Sequence, residues 1–410
     1  MGNKYFYDIH CHIMNLSHPN LSAIIKRFRL DGYLFLNSIP IINNLVSWVA
    51  GSKLNRILNL LSIMDRSIGD FLLLIEEKDY KPLYNNGKIR INNTDYDRII
   101  LTPLMMDFGE KKFIDPKLKA KIWYEKPPHK PIADQVIDLF NGIKDYYKES
   151  ELKLFEIYPF LGINTKNYDM ETKDGKTGLV DLLNKYFSSF SSDKISERHK
   201  KLKEKMGKFN GNIDKLGNYS FAGIKVYPPL DFDPYPEKPK NEREEKQLEK
   251  VKYLYSFCES KSIPITTHSA TGGFNVLPKK LSRVYADPGK WEKVLSDYPK
   301  LKLNLAHFGG QIKNTKGFRK IIEFISDKDK QVYTDFSCLC FNDNDYKKLK
   351  KLIGEDKIRD KILFGSDFMI NLMGTESYKE YINAFSKTRH FSKAEKDKFC
   401  SINPENFLFG

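Results

Sequence analysis

Eight short runs of β-branched and aromatic residues, helix-like stretches between them, and histidines or an aspartate closing several of the runs together predict an α/β fold, a (β/α)8 TIM barrel. The runs are Tyr5 to His10, Arg98 to Met105, Lys153 to Gly162, Phe221 to Tyr227, Ile263 to His268, Lys302 to His307, Gln331 to Ser337 and Lys361 to Asp367. Eight strands are what a closed parallel barrel requires. Helical segments such as Glu245 to Lys261, which separates the fourth run from the fifth, favour parallel pairing through crossovers.

The first interval, Ile13 to Asp97, is far longer than one helix with its loops, and its helix-like stretches Leu21 to Phe28 and Leu54 to Ile75 read as an insertion over the barrel mouth. In the second, Asp107 to Glu151, the loop Lys126-Pro127-Pro128-His129-Lys130-Pro131 precedes a helix expected over Ile132 to Tyr147. The third, Asn164 to Tyr219, reads as mostly charged and helical. No fixed-period repeat or linker-like tract interrupts the chain, so residues 1–410 are expected to form a single elaborated domain with large helical insertions at about 13–97, 107–151 and 164–219. Near the end, Asn403 followed by Pro404 predicts a capped closing helix.

Composition narrows the class. Hydrophobic residues make up 40% of the chain, including 28 Phe and 23 Tyr, which supplies a substantial core and excludes global disorder. The formal charge of +15 comes from lysines interleaved with acids, the pattern of solvated helix faces, and no aromatic-basic stripe marks a nucleic-acid surface. The five cysteines are odd in number and include no CxxC pair, so neither a disulfide framework nor a zinc ribbon is expected. A reducing, cytoplasmic setting fits that usage, and no signal segment precedes the first strand. Ile39 to Ala50, the most apolar insertion, is too short to span ~30 Å of hydrocarbon.

The chemistry is concentrated at the strand ends. In His10-Cys11-His12 the two imidazoles lie two residues apart and leave a strand on one side, where both can reach a single divalent cation. His268 closes the fifth run before Ser269-Ala270-Thr271-Gly272-Gly273, and His307 closes the sixth before Phe308-Gly309-Gly310. Asp367 ends the eighth in a carboxylate, a hard ligand that can also accept a proton from water.

At these residues the chain resembles the amidohydrolase superfamily, in the branch called amidohydrolase family 2, which includes hydrolases, lactonases and non-oxidative decarboxylases. That branch draws an HxH pair from its first strand, one His each from its fifth and sixth, and an Asp from its eighth, matched here by His10, His12, His268, His307 and Asp367. Gly223-Ile224-Lys225-Val226-Tyr227-Pro228 resembles its fourth-strand segment. The resemblance implies a site for Zn²⁺ or Mn²⁺ held by His10, His12, His268 and Asp367, with a water in the open position. It also implies Asp367 as the base, His307 as a group that polarises the substrate carbonyl, and Lys225 either as an ammonium facing a substrate acid group or as a carbamate that bridges a second ion. One ion is the simpler expectation.

Other positions carry lesser expectations. Asp8, on the face of His10, either orients that imidazole or is simply buried and hydrogen-bonded; Tyr227, on the face of Lys225, either touches substrate or packs in the core. His18 reads as a loop residue, Cys338 and Cys340 as buried thiols, and His129, His199 and His390 as facing solvent. The expected partner is a small-molecule substrate, acidic if the positive charge gathers at the mouth. Oligomeric state, a homo-oligomer included, is left open. Three functions compete: hydrolysis of an ester, lactone or amide; decarboxylation or hydration of an unsaturated acid on the same ligands; and nuclease activity of the TatD type. Enzymes of the last kind place a Glu on the fourth strand where this chain has Lys225.

Overall fold

The computed structural model describes residues 3–19, 56–91, 93–109, 130–190, 195–275, 277–354 and 356–410. All eight expected strands occur in order. β1 (Tyr5–Cys11) is followed by three short strands, β2 (Tyr84–Asn85), β3 (Lys88–Ile91) and β4 (Thr94–Tyr96), and then by β5 (Arg98–Pro103). The third expected strand is two pieces, β6 (Phe155–Ile157) and β7 (Phe160–Gly162). The rest are β8 (Gly223–Val226), β9 (Ile265–Thr267), β10 (Leu303–Leu305), β11 (Val332–Asp335) and β12 (Ile362–Leu363).

The result is an α/β fold with parallel sheets. One runs β1-β5-β6 and the other β12-β11-β10-β9-β8-β7, with every pair parallel. The break in the third strand falls at Pro159, which has no N–H to give to a ladder. Tyr158 N still donates to Leu101 O at 2.8 Å, whereas Pro159 O accepts from Ala222 N at 2.8 Å, so the chain changes partner there. Backbone hydrogen bonds link the two sheets along both borders: Met105 N to Phe160 O at 3.2 Å on one side, Ile9 N to Phe364 O at 3.3 Å on the other.

The insertions are less uniformly helical than expected. Residues 56–64 and Ile68–Ile75 are helical, and the second helix starts where Ser67 accepts from Asp70 N. The chain then turns into the antiparallel sheet β2-β3-β4. Its first hairpin turns at Asn86-Gly87, both at positive φ (49° and 80°), the conformation that a two-residue hairpin loop needs. Leu21 to Phe28, Ile39 to Ala50 and His129 lie outside the described residues. The helix expected from Ile132 runs over Ile132–Glu149, and the third insertion holds helices Leu179–Phe187 and Ile195–Lys205. No helix among the described residues is long and apolar enough to cross a membrane.

The closing helix departs from expectation in one detail. Asn403 has helical φ and ψ and continues a π-helical turn, Lys398–Ile402, so it does not cap the helix Asn403–Phe409. Its side chain instead donates to Arg359 O and Ile362 O, both at 2.7 Å, and ties the helix to β12.

Behind the strand ends lies an aromatic cluster. Phe364, fully buried three residues before Asp367, packs against Phe6 (5.1 Å between ring centroids), Phe385 (4.7 Å) and Phe336 (5.7 Å). Phe364→Leu is expected to cost roughly 1–2 kcal/mol, because the surrounding rings cannot close over the lost volume. Urea unfolding would show the midpoint falling with an unchanged slope.

Candidate metal centre

Every residue expected at the site is buried and lies at the carboxyl ends of the parallel strands. His10 is the sixth residue of β1 and His12 follows its last. Lys225 is in β8, His268 follows β9, and His307 and Asp367 lie beyond β10 and β12. His307 and Asp367 both sit at positive φ (63° and 57°), a backbone that costs energy outside glycine and that the surroundings enforce. Asp367 N donates to His10 O at 2.6 Å, and His307 N donates to the Asp335 carboxylate at 3.1 Å. Gly365 permits the close approach of this segment to β1, since a Cβ there would lie 2.6 Å from that of His10.

The side chains converge. His10 Nε2 and His12 Nε2 stand 3.5 Å and 3.3 Å from Asp367 Oδ1. The tightest set of ligand-type atoms among the described residues is His10, His307 and Asp367, mutually within 4.8 Å. His12 meets this set at Asp367, and His268 adjoins it at His307. The His268 ring lies 5.0 Å from that of His307 and stacks on Tyr227 at 4.7 Å.

Hydrogen bonds on the far side of the imidazoles determine what they present inward. His10 Nδ1 lies 3.0 Å from Asp335 Oδ2, His12 Nδ1 is 2.8 Å from Leu104 O, and His307 Nδ1 is 2.9 Å from Ser337 O. All three partners are acceptors, so each Nδ1 carries the proton. Burial pulls His10 down to about 4, against the Asp335 charge that raises it, and His268 is likewise lowered by burial and by neighbouring His307 and Lys225. A neutral His10 then turns a bare Nε2 lone pair toward a carboxylate oxygen.

Acceptor facing acceptor is unfavourable unless a cation lies between them. His10 Nε2 and His268 Nε2 are buried with no hydrogen-bond partner, a loss worth about 1–3 kcal/mol per atom. Burial alone would raise the Asp367 carboxyl, but the surrounding imidazoles of His12, His307 and His10 hold it well below the ordinary range. Imidazole nitrogens and one ionised carboxylate form the donor set that Zn²⁺ or Mn²⁺ accepts, and the residues fit such an ion.

Lys225 is 1% exposed, its Nζ has no hydrogen-bond partner, and it lies 5.6 Å from the centre of the Tyr227 ring. Burial pulls the amine down to about 8, partly countered by Asp335 and Asp367. A cavity of about 620 Å³ opens onto the site, lined by His12, His268, His307 and Asp367 together with Tyr227 and Phe274. Cys338 also lines it and is only partly buried, which corrects the expectation of two buried thiols; Cys340 is fully buried.

Two other expectations need correction. Asp8 does not orient the His10 ring: its carboxylate accepts from Ser366 N at 2.9 Å, from the hydroxyls of Ser366 and Tyr378 at 2.5 Å each, and from the backbone N of His10 at 3.3 Å. The orienting carboxylate is Asp335 at the end of β11, with β12 lying between that strand and β1. His199 does not face solvent but stacks on Phe409 at 5.0 Å and meets Glu156 at 2.9 Å. His390 does lie near the surface, paired with Asp343 at 3.1 Å, and His18 is a loop residue as expected, buried at 2% exposure and paired with Asp138 at 3.0 Å. A signal for Asp335 existed in the sequence, because Asp335 and Ser337 repeat at another strand end the two-residue spacing of His10 and His12.

Residues 212–410, which carry Lys225, His268, His307 and Asp367, match the amidohydrolase family model. Among solved structures the chain is similar to 5-carboxyvanillate decarboxylase from Novosphingobium aromaticivorans, complexed with manganese and 4-hydroxy-3-methoxy-5-nitrobenzoic acid. The identity is 11% over 99% of this chain and 96% of that one, with a TM-score of 0.43. It is also similar to a probable 2-pyrone-4,6-dicarboxylic acid hydrolase from Acinetobacter baumannii with citric acid bound, at 13% identity over 77% of this chain and 84% of that one and a TM-score of 0.40. No curated protein matches the chain.

Proposed function

We propose that the chain is a metal-dependent hydrolase that adds water across an ester, lactone or amide bond of a small acidic molecule. The observation that carries this reading is the meeting of unprotonated, partnerless imidazole nitrogens with an ionised carboxylate beside a cavity of about 620 Å³. We read His10, His12, His268 and Asp367 as the ligands of one Zn²⁺ or Mn²⁺ ion, which when bound supplies Lewis-acid activation. A second ion requires a carbamylated Lys225. Asp367 takes the proton of the attacking water and returns it to the leaving group. His307, with Nδ1 fixed on Ser337 O, presents Nε2 and in its protonated form polarises the substrate carbonyl. Lys225 as ammonium receives the substrate's acid group, and Tyr227 and Phe274 form an apolar wall beside it.

The same reading takes the parallel strands as one closed (β/α)8 barrel and residues 1–410 as a single elaborated domain, supported by the hydrogen bonds along both sheet borders. A reducing, cytoplasmic setting is supported by five cysteines with no disulfide among them. Elemental analysis of the purified protein is expected to return one transition-metal ion per chain, and His12→Ala to lose both the metal and the activity found in a screen of esters, lactones and amides. Absence of metal from the wild type together with unaltered activity in that variant would overturn the proposal. Release of carbon dioxide without addition of water would select the second reading, decarboxylation on the same ligands.

A further inference from the structure

The Asp335 carboxylate at the end of β11 is fully buried and accepts from five donors. Oδ2 faces His10 Nδ1 at 3.0 Å and Asn304 Nδ2 at 2.8 Å. Oδ1 accepts from His307 N and Ser337 N, each at 3.1 Å, and from the Ser337 hydroxyl at 2.5 Å. That hydroxyl also lies 3.1 Å from His10 Nδ1 and 2.9 Å from His307 Nδ1. A carboxylate has about four lone-pair positions, so this one is saturated and must stay ionised to serve all its donors. Burial would raise its pKa; the donors around it, from His10, His307 and Ser337, hold it far below the usual range.

We propose that Asp335 is the positioning residue of the site, fixing in one group the Nδ1–H tautomer of His10 and the left-handed backbone that carries His307. This rests on the reading of the site as a metal centre. Its own content is that one carboxylate couples two histidines contributed by different strands. Without it, only the Ser337 hydroxyl at 3.1 Å is left to hold the His10 proton on the outer nitrogen, and His307 loses the bond that holds its backbone at φ 63°.

Asp335→Asn tests this with little change in shape. The new amide must turn its N–H₂ either toward the two backbone N–H groups, which cannot yield, or toward His10 and Asn304, which can. Asn304 can flip, because its Oδ1 is buried without a partner. His10 can yield only by moving its proton to Nε2, the nitrogen the site needs bare.

Nitrogen-15 imidazole NMR on metal-free protein is therefore expected to place the His10 proton on Nδ1 in the wild type and on Nε2 in Asp335→Asn. Competition with a zinc chelator, read on folded protein, should show zinc affinity falling roughly 10- to 100-fold in the variant. Ser337→Ala, which leaves the carboxylate on His10, should keep zinc affinity near the wild-type value. A wild-type His10 protonated on Nε2, or a folded Asp335→Asn that binds zinc as the wild type does, overturns the inference. Should Asp335→Asn not fold, the wild-type tautomer alone decides. A wild type that binds no zinc yet carries the Nδ1 proton sinks the metal reading and leaves the role of Asp335 standing.

Discussion

Asp367→Asn is expected to lower turnover by on the order of 10⁴-fold while the protein stays folded. The substitution keeps the shape of the side chain but removes two capacities. An amide cannot take a proton from water, and it is a far weaker ligand than an ionised carboxylate. The metal-free protein should meanwhile gain stability. Asp367 Oδ1 now faces His10 Nε2 at 3.5 Å and His12 Nε2 at 3.3 Å, acceptor against acceptor whenever those rings are neutral. An Asn N–H turned toward them would supply the missing donor, a hydrogen bond worth about 1 kcal/mol. Turnover of a substrate found by screening, metal content and melting temperature measured together check this. A variant that keeps activity within tenfold of wild type removes Asp367 from the chemistry.

The strands were readable because their residues say two things at once: β-branched and aromatic runs give the element, and a polar residue at the run's end gives the open face. Phe6-Tyr7-Asp8-Ile9 ending in His10, and Leu363-Phe364 leading to Asp367, are of this kind. Pro159 was a visible breaker inside the third run, and the division of that strand follows from its missing N–H. Asn86-Gly87 is an equally visible hairpin signal, and it lies past the helix-like stretch that ends at Ile75.

What could not be read was which carboxylate serves which imidazole. Asp8 and His10 share a strand face, yet the register of β1 shifts between Asp8 and Cys11, and Asp8 is drawn to Ser366 and Tyr378. The His10 ring finds Asp335, 325 positions away in sequence. Spacing within one strand reports neighbours on that strand, whereas the orienting partner comes from a strand end that only the assembled sheet brings close.

Lys225→Met should separate stability from function. In the wild type a buried amine without a hydrogen-bond partner sits in the core with its pKa drawn down from 10.5 to about 8. For a cation whose folded pKa is depressed, the unfolded chain binds more protons between those two values, so stability rises with pH across that window and the penalty is fully present below about 8. Its size is on the order of 3 kcal/mol at neutral pH, counting 1.36 kcal/mol per tenfold. Methionine has similar length and no charge, so the variant should resist urea better at pH 7, and its advantage should shrink as pH approaches 10. Activity should move the other way, with kcat/KM falling on the order of 10²-fold, the worth of a charged hydrogen bond. If the ammonium receives a substrate acid group, the loss falls mainly on KM and depends on that group being present in the substrate. If the lysine acts on the reacting bond or bridges a second ion, the loss falls on kcat, and metal content drops in the bridging case. A variant neither more stable nor less active would mean that the amine is solvated and takes no part in the site.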